Sequence, residues 1–265
     1  MMHADTALAQ RLERAEAANA RGCTAMHPQA AWIEIAGGCA VFAGADSPLS
    51  HAVALGLDGP VTESEICALE SFFRARGSQP AIDLCPLAHP TLIALLGRRG
   101  YGVTELNNVL VKRMAGTEIV LTPRVRRAVR GSPVDETDLW SYTVGRGFFE
   151  HTELTTEEMD VGRAICAMPG ALCYLAATET GDLAGGGALA VQGGLALLFA
   201  DGTIAGHRRR GFHRELISAR LNEALAQGCD LATASTLPGS VSQRNYERMG
   251  FEVVYTRITL TPPPH

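Results

Sequence analysis

The sequence predicts an α/β chain made of two similar halves, and three observations lead to this fold class. Apolar runs of strand length alternate with amphipathic helical segments along the 265 residues. The composition, with 46% hydrophobic and 19% charged residues, is typical of a globular protein with a sizeable core. Two segments, GRRGYGVTELNNVL at 97–110 and ERMGFEVVYTRITL at 247–260, align without a gap, and this predicts a duplicated unit.

The first half contains the predicted elements of one unit. It opens with an amphipathic helix within residues 1–22, and Thr62 with Glu65 predicts a capping box at the start of a later helix. Residues 114–122 are the predicted junction between the halves. The remaining predicted elements are strands at 32–36, 40–43 and 51–57, a helix at 62–76, a strand at 81–84, a helix at 90–99 and a strand at 103–113.

The second half repeats the order strand, helix, glycine turn and strand. Gly202 interrupts an apolar strand near its end, which predicts a bulge or a close backbone approach by a ligand. A polar tail follows at 261–265. The predicted elements are a strand at 126–130, helices at 135–148 and 156–168, strands at 171–177, 185–192 and 195–203, a helix at 211–227, a strand at 231–236, a helix at 241–249 and a strand at 251–260.

Charge and motif content argue against several classes of function. The net charge of −5 makes a nucleic-acid-binding surface unexpected. Of 23 basic residues only Lys112 is a lysine, and it lies in a predicted strand, so neither a P-loop nor a pyridoxal-phosphate site is expected. The G-x-S-x-G and H-E-x-x-H motifs do not occur either.

The cysteines and apolar runs bear on metal binding and location. The seven cysteines are odd in number, scattered and without a C-x-x-C pair, so neither a disulfide framework nor a metal site is expected. Residues 1–22 lack the apolar core of a signal peptide, and no apolar run reaches transmembrane length. We therefore expect a cytoplasmic protein that does not bind membranes.

The segment GHRRRGFHREL at 206–216 concentrates positive charge at a predicted helix start. Arg208, Arg209, Arg210 and Arg214 stand where the helix dipole disfavours cations and favours an anion. A bound phosphate would resolve this conflict, because free backbone N–H groups and the glycine backbone could hold it. A solvated arginine cluster and a nucleic-acid contact are the alternatives.

Two motifs resemble the GNAT family of N-acetyltransferases. RRRGFH at 208–213 resembles the family's R/Q-x-x-G-x-G/A pyrophosphate loop, with Arg208 and Gly211 matching and His213 standing where the family has Gly or Ala. NYERMGF at 245–251 resembles a second family segment and places Tyr246 on its usual tyrosine. The resemblance covers about 122–260, and the order of the elements there is also the family's.

The resemblance implies a tandem arrangement of two GNAT-like units, each a mixed, mostly antiparallel central sheet flanked by helices. The expected domains are 1–115, a degenerate unit, and 122–265, the unit that binds acetyl-CoA. In the first half Glu63 and Glu65 stand where a pyrophosphate would bind and no arginine loop precedes them, so only the second half is expected to bind the nucleotide.

The implied activity is acetyl transfer from acetyl-CoA to an amine by direct attack on the thioester. Tyr246 is the expected proton donor to the thiolate, and a backbone N–H within 201–204 the expected donor to the carbonyl. Glu150, His151 and Asp201 remain alternatives for the base. The implied cofactor-binding residues are Thr203, Ile204, Arg208, Arg209, Arg210, Gly211, Phe212, His213 and Arg214.

The expected partner is a small-molecule or peptide amine, and a homodimer is left open. Phe148, Phe149 and Trp140 are candidates for lining the acceptor site, with a core position as the alternative for each. The rival function is a non-catalytic acyl-CoA-binding or regulatory protein.

Overall fold

The structure is a computed structural model that describes residues 4–25, 29–45, 47–114, 120–131 and 133–263. Its contacts divide the chain into two compact units. The first contains Met1–Leu110, Ser235–Gln243 and Glu252–His265, and the second contains Val111–Ala234 and Arg244–Phe251. The domain boundaries expected from the sequence, 1–115 and 122–265, stay a prediction. Residues 1–3 of the predicted first helix, 115–119 of the predicted junction and 264–265 of the predicted tail lie outside the described residues.

The first unit is a sheet with helices on both faces. Helix α1 starts where the Asp5 side chain accepts the Leu8 N–H, and the predicted capping box of Thr62 and Glu65 at the start of α2 is confirmed. The elements are α1 (Thr6–Gly22), β1 (Ala31–Ile35), β2 (Gly38–Phe42), β3 (His51–Val53), α2 (Glu63–Arg74), β4 (Ile82–Leu84), α3 (Pro90–Arg98), β5 (Gly102–Arg113) and, from the end of the chain, β11 (Glu252–Thr261).

The strand order in the first unit is β1-β2-β3-β4-β11-β5. Strands β1, β2 and β3 are antiparallel, and β4 pairs with β3 in parallel. The apolar core on one face joins the sheet to α2 and α3 through fully buried Ile66, Leu69, Phe73 and Leu92. Burial of these side chains is what fixes the two amphipathic helices on this face.

The last strand forms close to its predicted residues but pairs with a strand of the first unit. The strand predicted at 251–260 was expected to close the second half, but β11 pairs antiparallel with β4 through Ile258↔Leu84. On the other face of the sheet, Tyr255 and Arg257 both donate hydrogen bonds to the buried Glu13 carboxylate of α1. The end of the chain therefore completes the first unit.

The second unit repeats the same pairing scheme. Each of the strands β6, β7 and β8 pairs antiparallel with the next strand along the chain, and β10 pairs in parallel with β9. The strand order is β6-β7-β8-β9-β10. The elements are β6 (Val125–Arg127), α4 (Thr137–Phe148), α5 (Thr156–Ala167), β7 (Leu172–Ala177), β8 (Leu183–Gln192), β9 (Leu195–Thr203), α6 (Phe212–Ala226), β10 (Leu231–Thr236) and α7 (Val241–Arg248), the last two extending into the first unit.

The predicted fold class, with mixed, mostly antiparallel sheets flanked by helices in both units, is confirmed. Two predicted strands are longer than the observed ones. Strand β3 ends at Val53 because Ala54 adopts a left-handed backbone with φ 65°, which ends an extended strand. Strand β6 spans three residues and ends at Arg127.

No helix in the described residues is long and apolar enough to cross a bilayer. Within the same ranges no group of three or more His, Cys, Asp or Glu side chains is arranged to hold a metal ion.

Candidate functional site

Strand β9 carries a bulge and an edge that β10 leaves unpaired. The parallel ladder between β9 and β10 covers only Leu195–Leu198 and Leu231–Ala234, although β9 continues to Thr203. Against β8 the register shifts so that Ala200 and Asp201 together stand opposite Gly187, and Ala200 has φ 53°. This two-against-one pattern is a β-bulge, which bends the strand and redirects its side chains.

Gly202 itself is not the bulge that the sequence predicted. A Cβ at Gly202 would lie 2.5 Å from the Val144 carbonyl oxygen, and one at Gly147 would lie 2.5 Å from the Thr203 nitrogen. Both glycines therefore let helix α4 pack directly on the backbone of β9. The close approach that Gly202 predicted is made by a helix and not by a ligand.

The loop after β9 leads into helix α6 without any side-chain cap. Gly211 is the N-cap residue in the left-handed conformation, with φ 89°, and no side chain accepts a hydrogen bond from the first turn. The first N–H groups of a helix have no acceptor within the helix, so those of Phe212, His213 and Arg214 are available to an anion. Arg209 also has a left-handed backbone, φ 61°, which is unusual for a residue with a side chain.

The four arginines of this segment divide into two kinds. Arg209, Arg210 and Arg214 are exposed, and no carboxylate in the described part of the chain pairs with them. Arg208 is already engaged: its Nη2 bonds Glu150 Oε1 at 2.8 Å and the Gly147 carbonyl at 3.2 Å, and its Nε bonds the Thr203 carbonyl at 3.2 Å. Three exposed arginines without a carboxylate partner among the described residues therefore lie in the segment where α6 begins.

Arg124 is a fourth cation at this helix end that the sequence analysis missed. Its guanidinium lies 4.3 Å from the Phe212 ring centroid, donates to the Arg210 carbonyl at 3.2 Å and is held by Glu215 of α6. The signal was the basic run PRVRR at 123–127, which only the fold brings beside residues 210–215.

Asp201, which the bulge directs inward, is the centre of a buried polar cluster. It accepts hydrogen bonds from Tyr246 at 2.5 Å and from Arg220, whose side chain is fully buried. Arg220 also donates to the Ala188 carbonyl at 3.0 Å. Gly187 is essential to this arrangement, because a Cβ there would lie 2.9 Å from both the Asp201 carboxylate and the Arg220 guanidinium.

The surroundings of this cluster shift the pKa values of Asp201 and Tyr246 in opposite directions. Burial raises the pKa of the Asp201 carboxyl, but the charge of Arg220 and the hydrogen bonds of the cluster outweigh it and hold that pKa well below its usual range. Burial and the Asp201 charge raise the pKa of the Tyr246 hydroxyl well above its usual value. At neutral pH Asp201 is thus an ionised carboxylate. Tyr246 is a neutral phenol whose hydroxyl donates a hydrogen bond to that carboxylate.

His213 extends this cluster toward the start of α6. Its Nδ1 lies 3.0 Å from the Asn245 Nδ2 amide, which identifies Nδ1 as the acceptor, and its buried Nε2 lies 3.5 Å from Asp201 Oδ1. The ring packs edge-on against Tyr246, with centroids 5.6 Å apart. The imidazole that replaces the glycine or alanine expected from the resemblance is therefore fixed between α6, α7 and β9.

The structure brings some of the other predicted residues to this region. Ile204 donates its N–H to the Ala184 carbonyl at 3.0 Å, so that group is used within the sheet. Glu150 lies in the loop after α4, bonded to Arg208, and His151 bonds Glu158 at 3.0 Å. Trp140 is fully buried and donates to the Tyr174 carbonyl, so its suggested place in an acceptor site is wrong.

Two exposed aromatic features lie in the same part of the second unit. Phe148, at the end of α4, is 65% exposed and packs edge-on against the ring of Phe149. Tyr142 is also exposed, and its hydroxyl donates to the Thr152 carbonyl of the loop. These residues and Glu150 form one surface on the loop 149–155 and the helix before it.

The first unit has a cavity of about 740 Å³ beside the start of α2, but its charges are already matched. Arg14 pairs with Asp58 at 2.7 Å, Arg21 lies 3.8 Å from Glu34, and Glu65 caps the backbone of Thr62. The α2 start is thus closed by its own Thr62 and Glu65, whereas the first-turn acid of α6, Glu215, pairs with Arg124.

Comparison with solved structures identifies the fold. The chain is similar to a GCN5-related N-acetyltransferase from Kribbella flavida, with a TM-score of 0.70 and 19% identity over 97% of this chain and 96% of that one. A tandem GNAT protein from the clavulanic acid biosynthesis pathway gives a TM-score of 0.61 and 13% identity, over 98% and 95%. A GCN5-related N-acetyltransferase from Sphaerobacter thermophilus gives 0.56 and 14%, over 81% and 73%.

These likenesses establish that the chain has the GNAT fold, and the likeness to a tandem GNAT protein covers nearly the whole length of both chains. No family model and no curated protein sequence matches it.

Proposed function

We propose that the second unit is an acetyl-CoA-dependent N-acetyltransferase. The observation that carries the proposal is the uncapped start of α6, where Arg209, Arg210 and Arg214 have no acidic partner among the described residues. Helices α2 and α5 each begin with a threonine whose side chain accepts a backbone N–H of the first turn, whereas the N-cap residue of α6 is a glycine and leaves these groups to a ligand. The GNAT fold of the chain supports the same conclusion.

The pyrophosphate of the nucleotide fits the N–H groups of Phe212, His213 and Arg214, with the unpaired arginines and Arg124 supplying charge. The edge of β9 beyond Leu198 offers backbone groups to the amides of a pantetheine arm, in the manner of an added strand. When bound, acetyl-CoA supplies an activated acetyl thioester. The acceptor is a small-molecule or peptide amine.

The roles of the chain's own residues follow from their surroundings. Glu150 is the proposed base, because its carboxylate is exposed on the loop after α4, and His151 is the alternative. Tyr246 is the proposed hydrogen-bond donor to the leaving thiolate. Because the Tyr246 hydroxyl donates its hydrogen bond to Asp201 in this structure, that role requires the hydroxyl to turn away from the carboxylate.

Calorimetry of the purified chain with acetyl-CoA tests the binding step. We expect micromolar affinity, one site per chain, and retention of most of that affinity by dephospho-CoA, since the α6 site is proposed for the pyrophosphate. A short DNA duplex is the control and should not bind. Two sites per chain would contradict the assignment to the second unit, and the absence of acetyl-CoA binding would refute the proposal.

Turnover with a panel of amines, measured as release of free thiol, tests catalysis. We expect Tyr246→Phe to lower kcat by roughly tenfold or more and to leave acetyl-CoA affinity unchanged, as removal of a single donor does. The rival function is non-catalytic acyl-CoA binding. The observation that favours it is the hydrogen bond from the Tyr246 hydroxyl to Asp201, because it occupies the proposed donor. Tight acetyl-CoA binding with no thiol release from any amine would support this rival.

A further inference from the structure

Arg208 differs from its neighbours in what it contacts. It aligns with the leading arginine of the phosphate loop, yet its hydrogen bonds go to the end of α4, to the loop that follows α4 and to the end of β9. One nitrogen, Nη2, bonds both Glu150 and the Gly147 carbonyl. The other, Nε, bonds the carbonyl of Thr203 at the end of β9, so the guanidinium joins β9, the end of α4 and the following loop.

The acceptors of these bonds are two backbone carbonyls and one carboxylate. The Gly147 carbonyl is in the last turn of α4, where carbonyl groups find no N–H donor within the helix. A cation near the C-terminal end of a helix is also favoured by the helix dipole, whereas the same cation at the start of α6 would be disfavoured. The contact with the Gly147 carbonyl is therefore a favourable place for the Arg208 charge.

Glu150 is held in a conformation that needs support. Its backbone is left-handed, with φ 63°, which is unfavourable for a residue with a Cβ atom. The Glu150 carboxylate accepts a 2.8 Å hydrogen bond from Arg208, and its side chain is 64% exposed. The course of residues 149–155, with the aromatic surface of Phe148 and Phe149 beside it, therefore depends on Arg208.

We propose that Arg208 is a positioning residue for the acceptor side of the site, and that the phosphates are held without it by the start of α6, Arg209, Arg210 and Arg214. Its guanidinium fixes the loop 149–155 and the Glu150 carboxylate on the rigid end of β9. The catalytic consequence rests on the proposed acetyltransferase function, but the structural coupling does not.

The test compares Arg208→Gln with Arg209→Gln, the same change one residue along the loop. Hydrogen exchange of the full chain, followed by mass spectrometry, reports on 149–155, and calorimetry reports the Kd for CoA. We expect Arg208→Gln to speed exchange in 149–155 at least fivefold and to change the Kd less than threefold. Arg209→Gln should leave that exchange unchanged and weaken CoA binding at least threefold.

Glu150→Gln is the second variant, in case Arg208→Gln lowers the melting temperature of the whole chain. It removes only the loop end of the ion pair and should also speed exchange in 149–155. Once an amine is identified, Arg208→Gln should raise the KM for that amine and leave the KM for acetyl-CoA unchanged. A purely structural role would reduce the active fraction, and therefore kcat, without moving either KM.

A tenfold loss of CoA affinity in Arg208→Gln with unchanged exchange in 149–155 would overturn the proposal and make Arg208 a phosphate ligand. If the wild-type chain does not bind CoA, the proposed function fails, while the exchange comparison between the variants still decides the role of Arg208.

Discussion

The buried pair of Asp201 and Arg220 allows one prediction to be worked through from the structure. In Asp201→Asn the side chain keeps its shape but loses its charge. Arg220 is 0% exposed and keeps only uncharged partners among the described residues, namely the Tyr246 hydroxyl and the carbonyls of Ala188, Phe199 and Leu216. Removing one partner of a buried ion pair costs about 3–5 kcal/mol, because the remaining charge stays buried without compensation.

We therefore expect Asp201→Asn to lower the free energy of unfolding in urea by about 3–5 kcal/mol at pH 7. The matched control is Asp138→Asn, which makes the same change in an exposed ion pair with Arg163, 2.7 Å long. That pair should contribute less than about 1 kcal/mol. Adding Arg220→Met to Asp201→Asn should recover about 2 kcal/mol or more, because it removes the unpaired charge.

The same carboxylate predicts a pH dependence. The pKa of Asp201 is lower in the folded chain than its unfolded value near 3.9, so the unfolded chain binds the proton more readily. The stability that Asp201 contributes is present above about pH 4 and is lost as the pH falls toward the folded pKa. Asp201→Asn should lack this acid-dependent component. A loss below 1 kcal/mol in Asp201→Asn, or an unchanged acid profile, would refute the reasoning.

Three further predictions concern a partly buried histidine, a helix contact and the arginine loop. Burial lowers the pKa of His51, but its 2.7 Å contact with Asp83 raises that pKa more. The free energy of unfolding should therefore fall as the pH rises above about 6.5. Urea titrations of His51→Gln should not show this decline. Gly147→Ala should lose about 1–3 kcal/mol because its Cβ would strike β9, whereas Gly97→Ala, which has open space in α3, should gain roughly 0.5–1 kcal/mol; equal effects in thermal unfolding would contradict this. Arg209→Gln should not lower the apo melting temperature, since it relieves repulsion at a helix start, and a drop of several degrees would show that this arginine is structural.

Much of the local structure was predictable because it is set by neighbours in the sequence. The capping box at Thr62 and Glu65 needs only residues three positions apart, and the strands and helices follow apolar periodicity. The repeated segments predicted two similar units, and the pairing scheme of both units agrees with that prediction. Arginines at the start of α6 pointed to an anion site because the conflict with the helix dipole is itself local.

Tertiary structure decided where distant residues meet. Tyr246 and Asp201 are 45 positions apart and meet only because the β9 bulge turns the carboxylate inward, which no pattern around Gly202 indicated. The place of β11 beside β4 likewise depends on pairing across the chain. The sequence thus determined that a cationic loop opens α6, while the fold assigned Arg208 to the loop after α4, because hydrogen-bond partners are chosen by proximity in space.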